Sequence, residues 1–180
     1  CDPYMEEVEA EYQLTRRCLE VAARRRFPLT LCTSARSELI LRDVDLLRQI
    51  PRLTVVAELC RLDQTERLNR GEDHVGIRMA NQLSGAGLRV EATFAPVLPG
   101  VTDLAAVRER LAEHIPLYID VMHVEKGSVQ ETRILERVSA LRPALLEAYR
   151  AFFAGERPEM DREILEMAGG DNIRLFPMED

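Results

Sequence analysis

Three acidic residues interrupt otherwise apolar runs: Glu58 in Val55-Val56-Ala57-Glu58-Leu59, Glu91 in Val90-Glu91-Ala92 and Asp120 in Ile119-Asp120-Val121. Side chains alternate along a strand, so Glu91 shares a face with Thr93 and Ala95, Glu58 with Val56 and Cys60, and Asp120 with Tyr118 and Met122. Strands of a parallel sheet are usually covered on both faces and nearly continuous in apolar residues, and an unpaired buried carboxylate is costly. A sheet surface carrying three carboxylates, a thiol and a hydroxyl is therefore expected to be the wet interior of a barrel or a ligand cleft. The alternative is that Arg36, Arg61, Arg89 or Lys126 neutralises each acid. With His123 just beyond the last run, Glu58, Glu91 and Asp120 would also supply the oxygen and nitrogen ligands of a metal-dependent hydrolase. His74 and His114 fall on helices, as capping or solvated residues.

The four cysteines are Cys1, Cys18, Cys32 and Cys60, and the closest pair, Cys18 and Cys32, is 14 residues apart. No CxxC or CxxxCxxC spacing exists, so these thiols alone form no compact metal or cluster motif. Cys18 is expected to be a small buried hydrophobe on a helix stripe, and Cys32 and Cys60 stand at strand ends.

The elements that position these residues alternate in period. Leu14, Cys18, Val21 and Ala22 follow helical spacing, predicting an amphipathic helix over about 11–26, with Arg16, Arg17, Arg24, Arg25 and Arg26 on its solvated face. A strand at Leu29 to Cys32, a helix from Leu39 to Ile50 ended by Pro51, and a strand at Leu53 to Cys60 come next. A helix from about Asp73 to Ala86 is stopped by Gly87 and followed by a strand at Leu88 to Ala95. Thr102 or Asp103 caps the helix that carries Leu104, Val107 and Leu111, and a fourth strand runs from Leu117 to Val124. Single helices between successive strands predict an α/β fold with a parallel sheet and right-handed crossovers, doubly wound or a partial barrel. Val129 to Gly155 and Pro158 to Ala168 read as helices. Residues 1–127 are accordingly assigned to the βα units and 128–180 to a C-terminal helical extension.

At 180 residues, 46% hydrophobic and 31% charged, the chain has the composition of a globular domain. Its 24 Lys and Arg against 31 Asp and Glu give a net charge of −7, which disfavours non-specific nucleic-acid binding. No stretch approaches the ~18 apolar residues of a membrane span and no leader resembles a signal peptide, so the cytoplasm is the expected location and no membrane partner is expected. The chain starts at Cys1 without Met, which reads as the interior of a longer frame; an acylated Cys1 of a lipoprotein is the other reading.

Several segments resemble a known family. Cys1-Asp2-Pro3-Tyr4 is similar to the (T/S)DPY segment, Leu14 to Glu20 to the helix after it, and Ala35-Arg36-Ser37-Glu38-Leu39-Ile40-Leu41-Arg42-Asp43 to the TKSxLxLRD segment of radical S-adenosylmethionine (radical SAM) proteins of the spore photoproduct lyase type. Ala95-Pro96-Val97-Leu98-Pro99-Gly100-Val101-Thr102-Asp103 resembles their APxxPGxxD turn. These segments cover residues 1 to about 125 in family order and spacing.

The resemblance implies a partial TIM-type (βα) barrel followed by C-terminal helices, with S-adenosylmethionine and a [4Fe-4S] cluster held at the carboxyl ends of the strands. It places Arg36, Ser37, Glu58 and Ala95 at the cofactor. The cluster cysteines would lie upstream, in a missing N-terminal half of the barrel that becomes this chain's partner, so the chain alone should neither bind the cluster nor cleave the cofactor. The whole would be a lyase-like enzyme generating a 5′-deoxyadenosyl radical on an unknown substrate. Arg36 replaces the family's Lys, Glu58 its Ser, Glu91 a small residue, and Cys1 a Thr or Ser. A non-catalytic S-adenosylmethionine-binding or accessory domain is the further alternative. The family's DNA-repair role is not carried over, because the match is to a shared scaffold and the chain is acidic.

Overall fold

The computed structural model describes residues 2–122, 124–156, 159–168 and 172–176. The chain opens with α1 (Glu6–Tyr12) and α2 (Leu14–Arg25), then β1 (Thr30–Thr33), a 3-10 turn (Leu39–Asp43) running into α3 (Val44–Leu47), and β2 (Thr54–Glu58). It continues through α4 (Leu62–Asn69), α5 (Val75–Gly85), β3 (Val90–Phe94), α6 (Leu104–Arg110) and β4 (Leu117–Ile119). The last part holds α7 (Val129–Leu141), a 3-10 turn (Pro143–Leu145) into α8 (Leu146–Phe153), α9 (Glu159–Met167) and β5 (Ile173–Leu175). The fold is α/β, as the alternating periods imply.

All five strands pair in parallel in the order β1-β2-β3-β4-β5. Right-handed crossovers in a sheet whose order never reverses put the connections on one face. Burial follows that asymmetry. Val55, Ala57, Ala92, Leu117 and Ile119 are fully buried on the helix side, whereas Thr30, Cys32 and Glu58, which point the other way, are exposed. The main core joins those strand residues to Leu47 before β2, Met79 and Leu83 of α5, Val107 of α6 and Ile164 of α9. A second core packs Leu98 and Val101 after β3 and Met122 after β4 against Ile134 and Val138 of α7, Tyr149 of α8 and Met160 of α9.

Three of the four segments that carry the resemblance, those around Asp2–Tyr4, Arg16 and Arg42–Asp43, fold into one polar network. Asp43, fully buried, accepts hydrogen bonds from Tyr4 Oη at 3.2 Å, Arg16 Nη1 at 2.6 Å, and Arg42 Nε and Nη2 at 3.0 Å each. Glu9, also buried, accepts from the Thr15 and Arg16 amides at 2.7 and 3.2 Å and from Arg42 Nη2 at 2.9 Å. Asp2 binds the Tyr4 amide at 3.0 Å, Thr33 Oγ1 at 2.9 Å and both the amide and hydroxyl of Ser34, tying the N-terminus to the end of β1. Buried charge is tolerated here because every acid has several donors.

That network corrects two expectations about α2. Its amides bond Glu9 and Arg16 reaches Asp43, which fixes the helix's rotation. Leu19, with Ala22 and Ala23 behind it, faces the core, while Leu14, Cys18 and Val21 are exposed. Cys18 is therefore not a buried hydrophobe, and Arg16 does not belong to the solvated face with Arg17, Arg24, Arg25 and Arg26. Two elements depart from the sequence reading as well. α4 falls between the strand ending at Cys60 and the helix starting near Asp73, where the sequence reading assigns no element, and β5 brings the segment after residue 128 back to the sheet. Among the described residues no helix is long and apolar enough to cross a membrane.

Candidate functional site

The register fixes which residues share the face away from the crossovers. Cys32 lies beside Val56 and Val56 beside Glu91, forming one cross-strand row. Glu58 lies beside Thr93, Thr93 beside Tyr118 and Tyr118 beside Arg174, forming the next row toward the carboxyl ends. Glu58 and Glu91 thus share this face, one row apart, while Asp120 sits half-buried just beyond β4. Its Oδ1 accepts from the Val121 amide at 2.8 Å, and its carbonyl accepts from the Val97 amide at 3.1 Å.

The acids differ in how they are neutralised. Glu91 is paired with Arg89 at 2.8 Å, as the neutralisation alternative anticipates for that position. Glu58, at the end of β2 and exposed, makes no ion pair or hydrogen bond among the described residues. Its charge is felt by two thiols. Burial, reinforced by Glu58, raises the Cys32 thiol above its ordinary value. Burial also raises Cys60, where the nearby Ala95 amide and Arg137 pull down and Glu58 pushes up. Neither cysteine is an activated thiolate.

Arg36 and Ser37 occupy the loop after β1. Arg36 is exposed, with Nε donating to Ser34 Oγ at 3.3 Å, and Ser37 Oγ accepts from the Leu39 amide at 3.3 Å, starting the 3-10 turn. Ala95 is half-buried directly after β3, at the cis peptide bond to Pro96. The four residues Arg36, Ser37, Glu58 and Ala95 therefore stand at the carboxyl ends of three consecutive parallel strands, where α/β proteins bind ligands.

The scaffold beneath this edge is tight. A Cβ on Gly76, in the first turn of α5, would come within 2.9 Å of both Ala35 Cβ and Leu59 Cδ2. Exposed helical glycines usually gain stability on replacement by Ala. Here Gly76→Ala is expected to lose about 1–3 kcal/mol by overpacking, and chemical denaturation measures it. His74 supports the same turn as the N-cap of α5: Nδ1 accepts from the Ile77 amide at 3.3 Å, leaving Nε2 to donate to Leu59 O at 3.2 Å. Burial holds this imidazole below its ordinary pKa, so it stays neutral, a capping residue as its sequence position suggested.

Among the described residues no group of three or more His, Cys, Asp or Glu could hold a metal ion. Cys18 on α2, Cys32 on β1 and Cys60 beyond β2 form no such group, so these three thiols do not fit a cluster. His123 and Cys1 lie outside the described residues.

A feature missed in the sequence lies beside Ala95. A cavity of about 640 Å³ is lined by Cys60, Ala95 and Pro96 on the strand side and by Gln130, Arg133, Glu136 and Arg137 of α7. The two arginines are one helical turn apart, which is visible in the sequence, but nothing there joins them to strand ends so distant along the chain. Comparison with protein-family models, with curated proteins and with solved structures finds no match for this chain.

Proposed function

We propose that this chain is the S-adenosylmethionine-binding part of a radical SAM enzyme of the spore photoproduct lyase type, its five parallel strands being successive strands of a partial (βα) barrel. The observation that carries this reading is the carboxylate of Glu58, without a partner among the described residues, standing with Arg36, Ser37 and Ala95 at the carboxyl edge of three consecutive strands whose order never reverses. Arg36 would hold the cofactor's carboxylate, and Glu58 would accept from its ammonium or ribose hydroxyls. Ser37 and Ala95 would shape the loop and strand end against it. The asymmetry of the sheet supports the reading too, since it leaves a polar face for the barrel interior.

Bound beside a reduced [4Fe-4S] cluster, S-adenosylmethionine would supply 5′-deoxyadenosyl radical chemistry for hydrogen abstraction from a substrate. The thiols described here do not fit that cluster, so its ligands are assigned to an N-terminal half of the barrel. By itself the present chain is expected to bind S-adenosylmethionine and leave it intact.

The test is formation of 5′-deoxyadenosine by the full-length protein, reconstituted with iron and sulfide and reduced. Glu58→Gln should cut the yield at least about tenfold, equivalent to about 1.4 kcal/mol of lost binding or positioning, whereas Glu91→Gln, at a position already neutralised by Arg89, should leave it near the parent value. A full coding sequence without three cluster cysteines would defeat the proposal, as would a reconstituted protein that forms no 5′-deoxyadenosine.

A further inference from the structure

We infer that the cavity between α7 and the tips of β2 and β3 binds the anionic group, a carboxylate or a phosphate, of a small-molecule substrate through Arg133 and Arg137. Its role as a substrate pocket rests on the reading of these strand tips as the cofactor-binding edge; the anion site itself does not.

Four observations carry the inference. First, the arginines are uncommitted. Arg16, Arg42, Arg61, Arg78 and Arg89 all have acidic partners, whereas Arg133 and Arg137 have no ion pair or hydrogen bond among the described residues. Second, they are held in place. Ser128 caps α7 by accepting from the Glu131 amide at 3.1 Å, and Ile134 and Val138, on the adjoining face of the helix, are buried in the second core. Side chains four residues apart lie on one helix face, so the two guanidinium groups project over the cavity together. Third, the cavity volume of about 640 Å³ suits a small organic molecule. Fourth, the positive charge is local in a chain of net charge −7, which favours a compact anion over a polyanion. Glu136 on the rim and Glu58 nearby limit the site to one anionic group, since a second negative charge would meet an acid. Guanidinium forks match carboxylate and phosphate oxygens alike, so both chemistries are open.

Cys60 reports on this cavity because it forms part of its floor. The probe is the rate of alkylation by iodoacetate, an anion, divided by the rate with neutral iodoacetamide. In both reactions the same thiolate attacks the reagent's methylene carbon and displaces iodide, so the ratio cancels the thiol's own pKa. At Cys60 the ratio should be about tenfold higher than at Cys32, which also lies near Glu58 but has no arginine over it. Arg133→Gln with Arg137→Gln should bring it to the Cys32 value, and Arg133→Lys with Arg137→Lys should restore part of it. Inorganic phosphate and acetate, added separately, should slow the iodoacetate reaction at Cys60, and the stronger competitor identifies the anion class.

Equal ratios at the two cysteines, unchanged in the Gln variant, would overturn the inference. Should Cys60 resist both reagents, thermal unfolding decides: phosphate or acetate must raise the midpoint of the parent and not that of the double Gln variant, and no difference between them overturns the site. None of these readouts needs a cluster or S-adenosylmethionine, so failure here leaves the radical reading standing, and failure of that reading leaves the anion site standing.

Discussion

Asp43→Ala should destabilise the protein by about 3 kcal/mol, the lower end of the cost of removing one partner from a buried charge network. Asp43 is completely inaccessible and collects hydrogen bonds from Tyr4, Arg16 and Arg42, which come from three separate segments of the chain. The lower end applies because the side chains of Arg16 and Arg42 are 26% and 29% exposed and can rehydrate when the carboxylate is lost. Tyr4 loses its acceptor as well. Burial, with the Asp43 charge beside it, pushes that phenol well above its ordinary pKa, so it stays a donor and is stranded in the variant.

The same network sets the acid limit of the fold. Burial alone would raise the Asp43 carboxyl, but the bonds from Arg42 and Arg16 outweigh it and hold the group below its ordinary value. Glu9 behaves likewise, burial being outweighed by the Thr15 and Arg16 amides and by Arg42. Groups depressed in the folded state contribute fully above their unfolded pKa, roughly 4 for these acids, and lose that contribution as pH falls through the folded value. The stability of the parent, read by urea unfolding, should therefore fall steadily below about pH 4, and Asp43→Ala should show a shallower decline. Equal acid sensitivity in the two proteins would contradict the account.

Tyr149→Ala should have an effect of about 3–5 kcal/mol, typical of deleting a large buried aromatic side chain, concentrated in the helices over the strand tips. Tyr149 is fully buried in the second core, and its hydroxyl donates to Pro99 O at 2.8 Å, clamping α8 to the turn after β3. Gly100, next in that turn, has φ +71 and lies under Leu145, so the turn is shaped to receive the helix. Tyr149→Phe keeps the ring and should lose only about 1 kcal/mol. Hydrogen exchange should show α7 and α8 losing protection in Tyr149→Ala while β2 and β3 retain theirs. Because α7 carries Arg133 and Arg137, the iodoacetate preference at Cys60 should disappear in the same variant. Uniform loss of protection across sheet and helices would mean that the two cores are one cooperative unit.

Much of this architecture is written in the period of the sequence. The apolar runs at Thr54–Glu58 and Val90–Phe94 are strands because β-branched residues such as Thr54, Val55, Val56, Val90 and Thr93 favour extended backbone. The alternation of side chains along a strand puts Glu58 and Glu91 on the face away from their buried apolar neighbours. The misses have definite causes. In α4 the inward positions include Gln64 and Thr65, both buried, so no apolar stripe marks the helix. β5 has only three residues with Arg174 in the middle, and it is a strand because β4 offers a free edge to pair with. On α2 the apolar stripe predicted the wrong face, since Glu9 and Asp43 determine the helix's rotation from outside it. The site was legible in part. Period placed the carboxylates, but whether each was paired depended on neighbours: Arg89, two residues away, neutralises Glu91, and nothing described reaches Glu58.

The central claim, that the carboxyl edge of β1, β2 and β3 receives S-adenosylmethionine, is tested most directly by titrating the isotopically labelled chain with that cofactor and mapping the backbone amide shifts. The account predicts saturable shifts at Arg36, Ser37, Glu58 and Ala95, weakened in Glu58→Gln. Shifts confined to the opposite, helix-covered side around Asn69 and Thr102, or an unperturbed spectrum at saturating cofactor, would contradict it.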